Sequence, residues 1–291
     1  MRTVTSSDGT FRASSGAKIF YRHWTPAEPR AVILLSHGLA EHSGRYEEFA
    51  SFFGDAGFAT YAVDFPGHGK SEGKRGHIGR FDEYTKALDQ LSSLARKAHP
   101  GLPFVLLGHS LGGLIAADFL LQHQSKFAAA VLTGAAIQSP QQPSDFVLFV
   151  NKLIAAIAPQ LGVLRLDASA ISRDPQVVSD YENDPLVYRG KVSAALVTAL
   201  FSAMKRVVEN AESIRLPLLI MHAGEDRLTS VAGSKLLHEK ISSEDKKLIV
   251  YEGLYHEILN EPERHQVMRN ILEWLAPRID RPLGRAPTKA P

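Results

Sequence analysis

Short apolar runs separated by longer amphipathic stretches dominate the hydropathy pattern of this chain. The runs show no alternation of apolar and polar residues, which is typical of strands buried on both faces of a parallel sheet. They cover residues 31–36, 59–63, 104–107, 129–132, 217–221 and 247–251. Apolar residues recur with helical spacing between these runs, at residues 45–56, 81–98, 114–122 and 262–275. This order predicts an α/β fold in which helices cover both faces of a mostly parallel sheet.

Two segments depart from this order. Residues 10–25 favour a β-hairpin with its turn at Ser15-Gly16. Residues 137–205 open with a Gln- and Pro-rich stretch, contain no convincing strand and hold an apolar helix at residues 146–158. We therefore expect a helical cap that is inserted between two strands of the sheet. The expected organisation is a core at residues 1–136 and 206–277, a cap at residues 137–205 and a flexible tail at residues 278–291.

A candidate nucleophile follows the apolar run at residues 104–107. Residues 108–112 are Gly-His-Ser-Leu-Gly, and an apolar helix comes directly after them. A strand, a G-x-S-x-G turn and a helix in this order favour a nucleophile elbow over a plain glycine turn. Ser110 would then point out above the end of the sheet, and His109 would point away from it. The N–H of Leu111 would lie at the start of the helix, where amide donors are unpaired.

A serine nucleophile needs a base to accept its proton and a third group to orient that base. Asp226 and His256 each follow a predicted strand downstream of Ser110, at the sheet edge where catalytic groups gather. The chain order Ser, Asp, His is that of the α/β-hydrolases. The sequence therefore predicts these three residues as a catalytic triad. Glu225 is a rival acid beside Asp226, and Asp245 is a weaker rival in the loop before the last strand.

A second donor for an oxyanion hole is expected in the loop after the first long strand. That loop is His37-Gly38-Leu39. Gly38 would allow the backbone to turn toward the site, so the N–H of Leu39 is the candidate. Two amides, from Leu39 and Leu111, would then face a developing oxyanion.

Five further segments carry a family signature. They are residues 37–46 (HGLAEHSGRY), residues 64–73 (DxxGHGxSxG), residues 169–173 (SAISR), residues 181–186 (YENDPL) and residues 253–263 (GLYHE followed by NEPE). Together with the serine elbow, they resemble the monoacylglycerol lipase branch of the α/β-hydrolase family over about residues 15–276. This resemblance implies an α/β-hydrolase fold with an inserted cap. It also implies a serine esterase that cleaves monoacylglycerols to fatty acid and glycerol through an acyl-enzyme, with Glu41, Arg45 and Tyr181 lining the end that receives glycerol.

Composition and failed motifs narrow the function further. The 291 residues have a formal net charge of +2, which argues against a nucleic-acid-binding protein. The absence of cysteine excludes disulfides and thiol catalysis. Gly69-Lys70-Ser71 lacks the upstream glycine of a phosphate-binding loop, because Asp64 occupies that position. Asn260 stands where a zinc-binding HExxH motif requires histidine. We therefore predict neither a cofactor nor a metal.

The predicted relation to membranes is peripheral at most. Residues 1–13 are polar and resemble no signal peptide, and no run approaches the roughly 20 apolar residues that span a bilayer. We expect a protein that is cytoplasmic or peripheral on a membrane, with export by another route left open. The helix at residues 146–158 allows two interpretations. It packs in a small core of the cap, or it forms an acyl-tunnel wall whose outer face docks on lipid.

Two other functions fit parts of the same pattern. The same triad would serve a lysophospholipase or a general carboxylesterase that acts on short soluble esters. A hydrolase-fold protein that binds a ligand without turnover is an alternative from another class, and the intact Ser, Asp and His argue against it. The preferred acyl length and the oligomeric state are open at this point.

Overall fold

The computed structural model describes residues 3–279. Within this range, strands and helices alternate along most of the chain, as the hydropathy pattern predicts. The strands are β1 (Val4–Arg12), β2 (Lys18–Pro26), β3 (Ala31–Ser36), β4 (Phe58–Val63), β5 (Phe104–His109), β6 (Ala129–Thr133), β7 (Gly162–Leu164), β8 (Val192–Ser193), β9 (Leu218–Ala223) and β10 (Lys246–Tyr251). The α-helices are α1 (Glu47–Asp55), α2 (Asp82–Ala98), α3 (Leu111–His123), α4 (Asp145–Ile157), α5 (Pro175–Asn183), α6 (Ala194–Asn210), α7 (Val231–Lys240) and α8 (Arg264–Ile279).

Eight strands form one sheet in the order β1-β2-β4-β3-β5-β6-β9-β10. The hairpin of β1 and β2 is antiparallel, and β2 is antiparallel to β4. All the other neighbours in this sheet are parallel. The predicted fold class, a mostly parallel sheet of the α/β-hydrolase type, is confirmed. The carboxyl ends of β3, β5, β6, β9 and β10 therefore meet at one edge, where the candidate catalytic residues follow.

The two faces of the sheet bury two separate apolar cores. Along β3, Val32 and Leu34 belong to a core that includes residues of α2 and α3. Ile33 and Leu35 belong to the opposite core, which includes residues of α1 and α8. All four side chains have no exposed surface, and burying such a side chain stabilises the fold by about 1.5–3 kcal/mol. Because both faces are covered, the strand sequence shows no polar alternation.

The chain between β6 and β9 contains the helices α4, α5 and α6. It also contains β7 and β8, which form a separate two-stranded antiparallel sheet. The expectation of no strand in this stretch is therefore wrong. These strands are three and two residues long, so they are too short to produce a recognisable period in the sequence. Helix α6 extends to Asn210, and the division into core and cap at residues 137 and 205 stays a prediction.

The C-terminal helix is longer than the sequence indicated. It continues past Leu275 and through Pro277 to Ile279, whose side chain is buried. The guanidinium of Arg278 pairs with Asp245 and lies 3.9 Å from the ring centroid of Trp274, which holds the last turn against the core. The predicted tail at residues 278–291 therefore begins inside a helix, and residues 280–291 lie outside the described residues.

Candidate active site

Ser110 occupies a strained turn between β5 and α3. Its backbone has φ 55° and ψ −120°, in the region with positive φ that L-residues rarely adopt. The turn is tight, since a Cβ added at Gly108 would lie 2.5 Å from the carbonyl oxygen of Gly112. A Cβ at Gly112 would clash with the carbonyl oxygen of Ser36 on the neighbouring strand β3. The two glycines thus permit a geometry that presents the serine side chain at the edge of the sheet.

The imidazole of His256 lies between the hydroxyl of Ser110 and the carboxylate of Asp226. Its Nε2 is 2.8 Å from Ser110 Oγ, and its Nδ1 is 2.6 Å from Asp226 Oδ2. Asp226 follows β9 and His256 follows β10, so the parallel strands deliver both residues to the same edge as Ser110. When Nδ1–H donates to the carboxylate, Nε2 is left free to accept the serine proton. The structure brings together all three residues that the sequence singled out.

Asp226 is held by several donors besides His256. Its Oδ1 accepts the backbone N–H groups of Leu228 at 2.8 Å and Thr229 at 2.9 Å, and its Oδ2 accepts the Thr229 hydroxyl at 2.9 Å. Burial opposes ionisation of Asp226, but His256 and these donors outweigh it and hold the pKa well below its usual range. Burial likewise disfavours protonated His256, yet the carboxylate of Asp226 raises the pKa of His256 above its ordinary value.

His222 is a second histidine beside the same carboxylate, and no motif in the sequence indicates it. Its Nε2 lies 3.2 Å from Asp226 Oδ2, and its Nδ1 lies 2.7 Å from the hydroxyl of Ser234 on α7. The side chain is completely buried. His222 belongs to β9, and nothing in its neighbourhood along the chain distinguishes it from a core residue of a strand.

The other candidate acids and bases occupy different surroundings. Glu225 is exposed, and Asp245 pairs with Arg278 at the end of α8. The expectation that His109 points away from the serine is wrong in one respect, since its ring lines the same cavity and lies 4.8 Å from the ring of His256. Two contacts of Nδ1, both 3.1 Å and both with Thr133, hold it there. Burial, together with His256, lowers the pKa of His109 to about 4.

The amides of Leu39 and Leu111 belong to two residues that line the cavity beside Ser110. Within residues 3–279, neither N–H donates to a protein acceptor. The loop that carries Leu39 is fixed by the buried ring of His37, whose Nδ1 lies 2.7 Å from the carbonyl oxygen of Gly38. Its Nε2 accepts the N–H of Phe65 at 3.1 Å. Both amides are therefore available to a ligand, and their role as an oxyanion hole stays a prediction.

The cavity at Ser110 has an apolar wall and a polar one. The apolar side chains come from the segment around β7, from α6 and from the loop after Asp226, and include Leu164, Leu166, Val197, Leu200, Phe201, Met204 and Leu228. The polar wall is formed by Glu41, Tyr181 and Glu257, and each of these residues is at least 95% buried. Such a cavity accommodates a molecule with a long apolar part and a compact polar part.

Arg45 lies behind the polar wall and pairs with both of its carboxylates. Its Nη1 lies 2.7 Å from Oε2 of Glu41 and 2.7 Å from Oε1 of Glu257, and its Nη2 lies 2.7 Å from Oε2 of Glu257. The guanidinium stacks over the ring of Tyr181 at 4.8 Å. Glu41 and Tyr181 therefore line the cavity as the resemblance implied, whereas Arg45 is not among the residues that line it.

Glu257 lines the cavity although no motif predicts it as a site residue, and its position directly after His256 was the one available signal. Burial disfavours the charged forms of these groups, but the ion pairs outweigh it. Arg45 lowers the pKa of Glu257 and, with His109, lowers the pKa of Glu41 to about 2. The two carboxylates raise the pKa of Arg45. All three groups are therefore charged at neutral pH. Among residues 3–279, no group of three or more His, Asp or Glu side chains could hold a metal ion.

Comparison with known proteins places this site in a family. Residues 27–263 match the family model described as serine aminopeptidase, S33. A monoacylglycerol lipase of Mycolicibacterium smegmatis is 40% identical over 96% of this chain and 100% of its own length. The chain belongs to the monoacylglycerol lipase family of α/β-hydrolases. The human monoglyceride lipase, another family member, is 35% identical over 91% of this chain and 89% of its own length.

A solved structure of the same family has the same fold. The Paleococcus ferrophilus monoacylglycerol lipase superposes with a TM-score of 0.79 and 32% identity, and covers 94% of this chain and 99% of its own. As a member of the monoacylglycerol lipase family, the chain is a serine ester hydrolase.

Proposed function

We propose that this protein hydrolyses monoacylglycerols to a free fatty acid and glycerol, with Ser110 as nucleophile. The observation that carries the proposal is the hydrogen-bonded triad of Ser110, His256 and Asp226. Its serine lies in a cavity with one apolar and one polar wall. The apolar wall suits an acyl chain, and the carboxylates of the polar wall suit hydroxyl groups. The names of the relatives support the same substrate class.

In the first half of the reaction, His256 accepts the hydroxyl proton as Ser110 Oγ attacks the ester carbonyl. The carbonyl oxygen becomes an oxyanion, which the amides of Leu39 and Leu111 stabilise by hydrogen bonds. Because these amides are already in position, they need no rearrangement during the reaction. Removing one such donor typically lowers the rate about 10²–10³-fold. Asp226 holds the ring of His256 in place and stabilises the imidazolium.

In the second half, the imidazolium of His256 gives its proton to the departing glycerol oxygen, which breaks the ester bond and leaves an acyl group on Ser110. A water molecule then attacks the acyl carbonyl, and His256 takes the proton of that water. The second tetrahedral intermediate collapses when His256 returns the proton to Ser110 Oγ. The fatty acid leaves, and the starting protonation state is restored.

The substrate class predicts a dependence on acyl length. We expect kcat/KM for 1-dodecanoylglycerol and 1-oleoylglycerol to exceed that for 1-butyrylglycerol by at least about tenfold, since each buried methylene contributes about 0.8 kcal/mol. Purified protein would be assayed by release of free fatty acid. Negligible hydrolysis of the long substrates beside butyrate esters would contradict the lipase assignment and favour a carboxylesterase.

We further propose that helix α4 brings the protein into peripheral contact with lipid. Its apolar side chains face solvent, with Phe146 73% exposed and Ile157 86% exposed. Asn151 faces inward, because its amide donates to the carbonyl oxygen of Ala194 at 3.1 Å and to the hydroxyl of Thr198 at 2.9 Å, whereas Asp145 and Lys152 are exposed. An ordinary surface helix buries its apolar side chains, so the exposure of this many of them sets α4 apart. Within residues 3–279, no helix is long and apolar enough to cross a membrane.

Removal of two exposed apolar side chains should weaken this contact. We expect Phe146→Ser/Ile157→Ser to lower partitioning onto zwitterionic lipid vesicles by at least about tenfold, because each side chain contributes roughly 1.5–3 kcal/mol when it leaves water. Flotation on a density gradient measures the bound fraction. The matched control is Lys205→Ser/Glu209→Ser, which alters exposed residues of α6 without changing the net charge. Recovery of the unmodified protein wholly in the soluble fraction would refute the contact.

A further inference from the structure

Resting on the proposed function, we infer that the polar wall of the cavity carries a net negative charge that rejects phosphate-bearing leaving groups, and that Glu257 sets this charge. The class of substrate is thereby narrowed to esters with a neutral alcohol part. Glycerol is accepted, and glycerol phosphate and larger phosphate headgroups are excluded.

The negative charges of the polar wall lie closer to the cavity than the positive charge does. Glu41 and Glu257 face the cavity, and Arg45 lies behind them. Two carboxylates and one guanidinium leave one negative charge in a region where each group is at least 90% buried. Without Glu257, Arg45 and Glu41 would balance, and the wall would be neutral. The sign of the wall therefore depends on the residue that follows His256.

Arg45 is not free to receive an anion. Each of its terminal nitrogens is already engaged by a carboxylate oxygen, and the ring of Tyr181 covers one face of the guanidinium. No lysine or arginine is among the described residues that line the cavity. Arg165 and Arg189 border a neighbouring depression, which shares Leu166 and Tyr181 with the cavity but does not reach Ser110. A phosphate group close to Ser110 would therefore meet carboxylates but, among residues 3–279 that line the cavity, no lysine or arginine.

A neutral alcohol can bind where a phosphate cannot, because its hydroxyl groups donate hydrogen bonds to the carboxylates. Ionised carboxylates only accept hydrogen bonds, and each hydroxyl group of glycerol can donate one. A phosphate has no proton to donate when it is fully ionised and would lie against like charge in a buried region, where such contacts are costly. The same carboxylates thus hold glycerol and repel its phosphorylated form.

The test compares two soluble esters that share an acyl group, 1-butyrylglycerol and 1-butyrylglycerol 3-phosphate. For the unmodified protein, we expect kcat/KM to favour the neutral ester by about 10²-fold or more, as like-charge contacts cost several kcal/mol. In Glu257→Gln, this ratio should fall by about tenfold, since one unit of charge is removed. In Arg45→Gln/Glu257→Gln the wall regains one negative charge, and the ratio should return toward its original value.

The ratio is measured within each variant, so a general loss of activity cancels. If the unmodified protein hydrolyses neither ester nor any longer monoacylglycerol, the proposed function fails. If it hydrolyses both butyryl esters at similar rates, the proposed function stands and the inference is overturned. An unchanged ratio in Glu257→Gln removes the role of Glu257. If that variant does not fold, the inference is tested in the unmodified protein by competition between the two butyryl esters. The phosphate ester should not inhibit hydrolysis of the neutral ester at concentrations up to ten times the KM of the latter.

Discussion

Ser110→Ala and His256→Ala are each expected to lower kcat by at least about 10⁴-fold, with the fold intact. Ser110 supplies the oxygen that bonds to the acyl group, and its hydroxyl lies 2.8 Å from His256 Nε2.

 The hydroxyl of Thr229 lies 3.4 Å from the other ring nitrogen, Nδ1, and so cannot replace that of Ser110 at Nε2. Without His256, the serine proton has no acceptor at 2.8 Å, and the hydroxyl remains a poor nucleophile.

Two measurements separate loss of chemistry from loss of structure. A fluorophosphonate that reacts with activated serines should label the unmodified protein at Ser110, fail to label Ser110→Ala, and label His256→Ala far more slowly. Thermal melting curves should show that all three proteins fold. The matched control for the histidine is His238→Ala on α7, because His238 does not line the cavity. Turnover by Ser110→Ala near that of the unmodified protein would refute the mechanism.

The parts of the site that the sequence could predict are those fixed by local chain geometry or by strand order. The turn around Ser110 depends on glycines two residues on either side of it, so the motif is visible in five consecutive residues. Asp226 and His256 are far from Ser110 along the chain, but each directly follows a strand. Because parallel strands end at a common edge, the order of the strands was enough to bring the three together.

The parts that escaped prediction depend on packing between distant segments. Arg45 and Glu257 are 212 residues apart, and only the folded chain shows that their ion pair places the guanidinium behind the carboxylates. His222 is the last residue but one of a buried strand, where an apolar residue would fit the sequence pattern equally well. Its contact with Asp226 arises because the loop after β9 turns back over the end of that strand. Hydrophobic periodicity carries no information about such contacts between a loop and the strand before it.

Asp226→Asn is expected to lower kcat by about 10⁴-fold, because the hydrogen bonds around the side chain force the amide into the wrong orientation. Oδ1 of Asp226 accepts two backbone N–H groups, so the oxygen of the asparagine must occupy that position. The NH₂ group then takes the place of Oδ2 and donates to Nδ1 of His256. The ring must carry its proton on Nε2, where it faces Ser110 and cannot accept the proton of the serine.

The pH dependence of Asp226→Asn gives an independent check of this account. Activity requires neutral His256, so it falls as the pH drops through the pKa of His256, which the carboxylate of Asp226 raises. Removal of that negative charge should move the acidic limb of the kcat/KM profile of the variant to lower pH. Glu225→Gln is the matched control, since Glu225 is exposed, and it should retain activity within about threefold, as surface substitutions usually do. Normal activity in Asp226→Asn together with loss in Glu225→Gln would assign the catalytic acid to Glu225 instead.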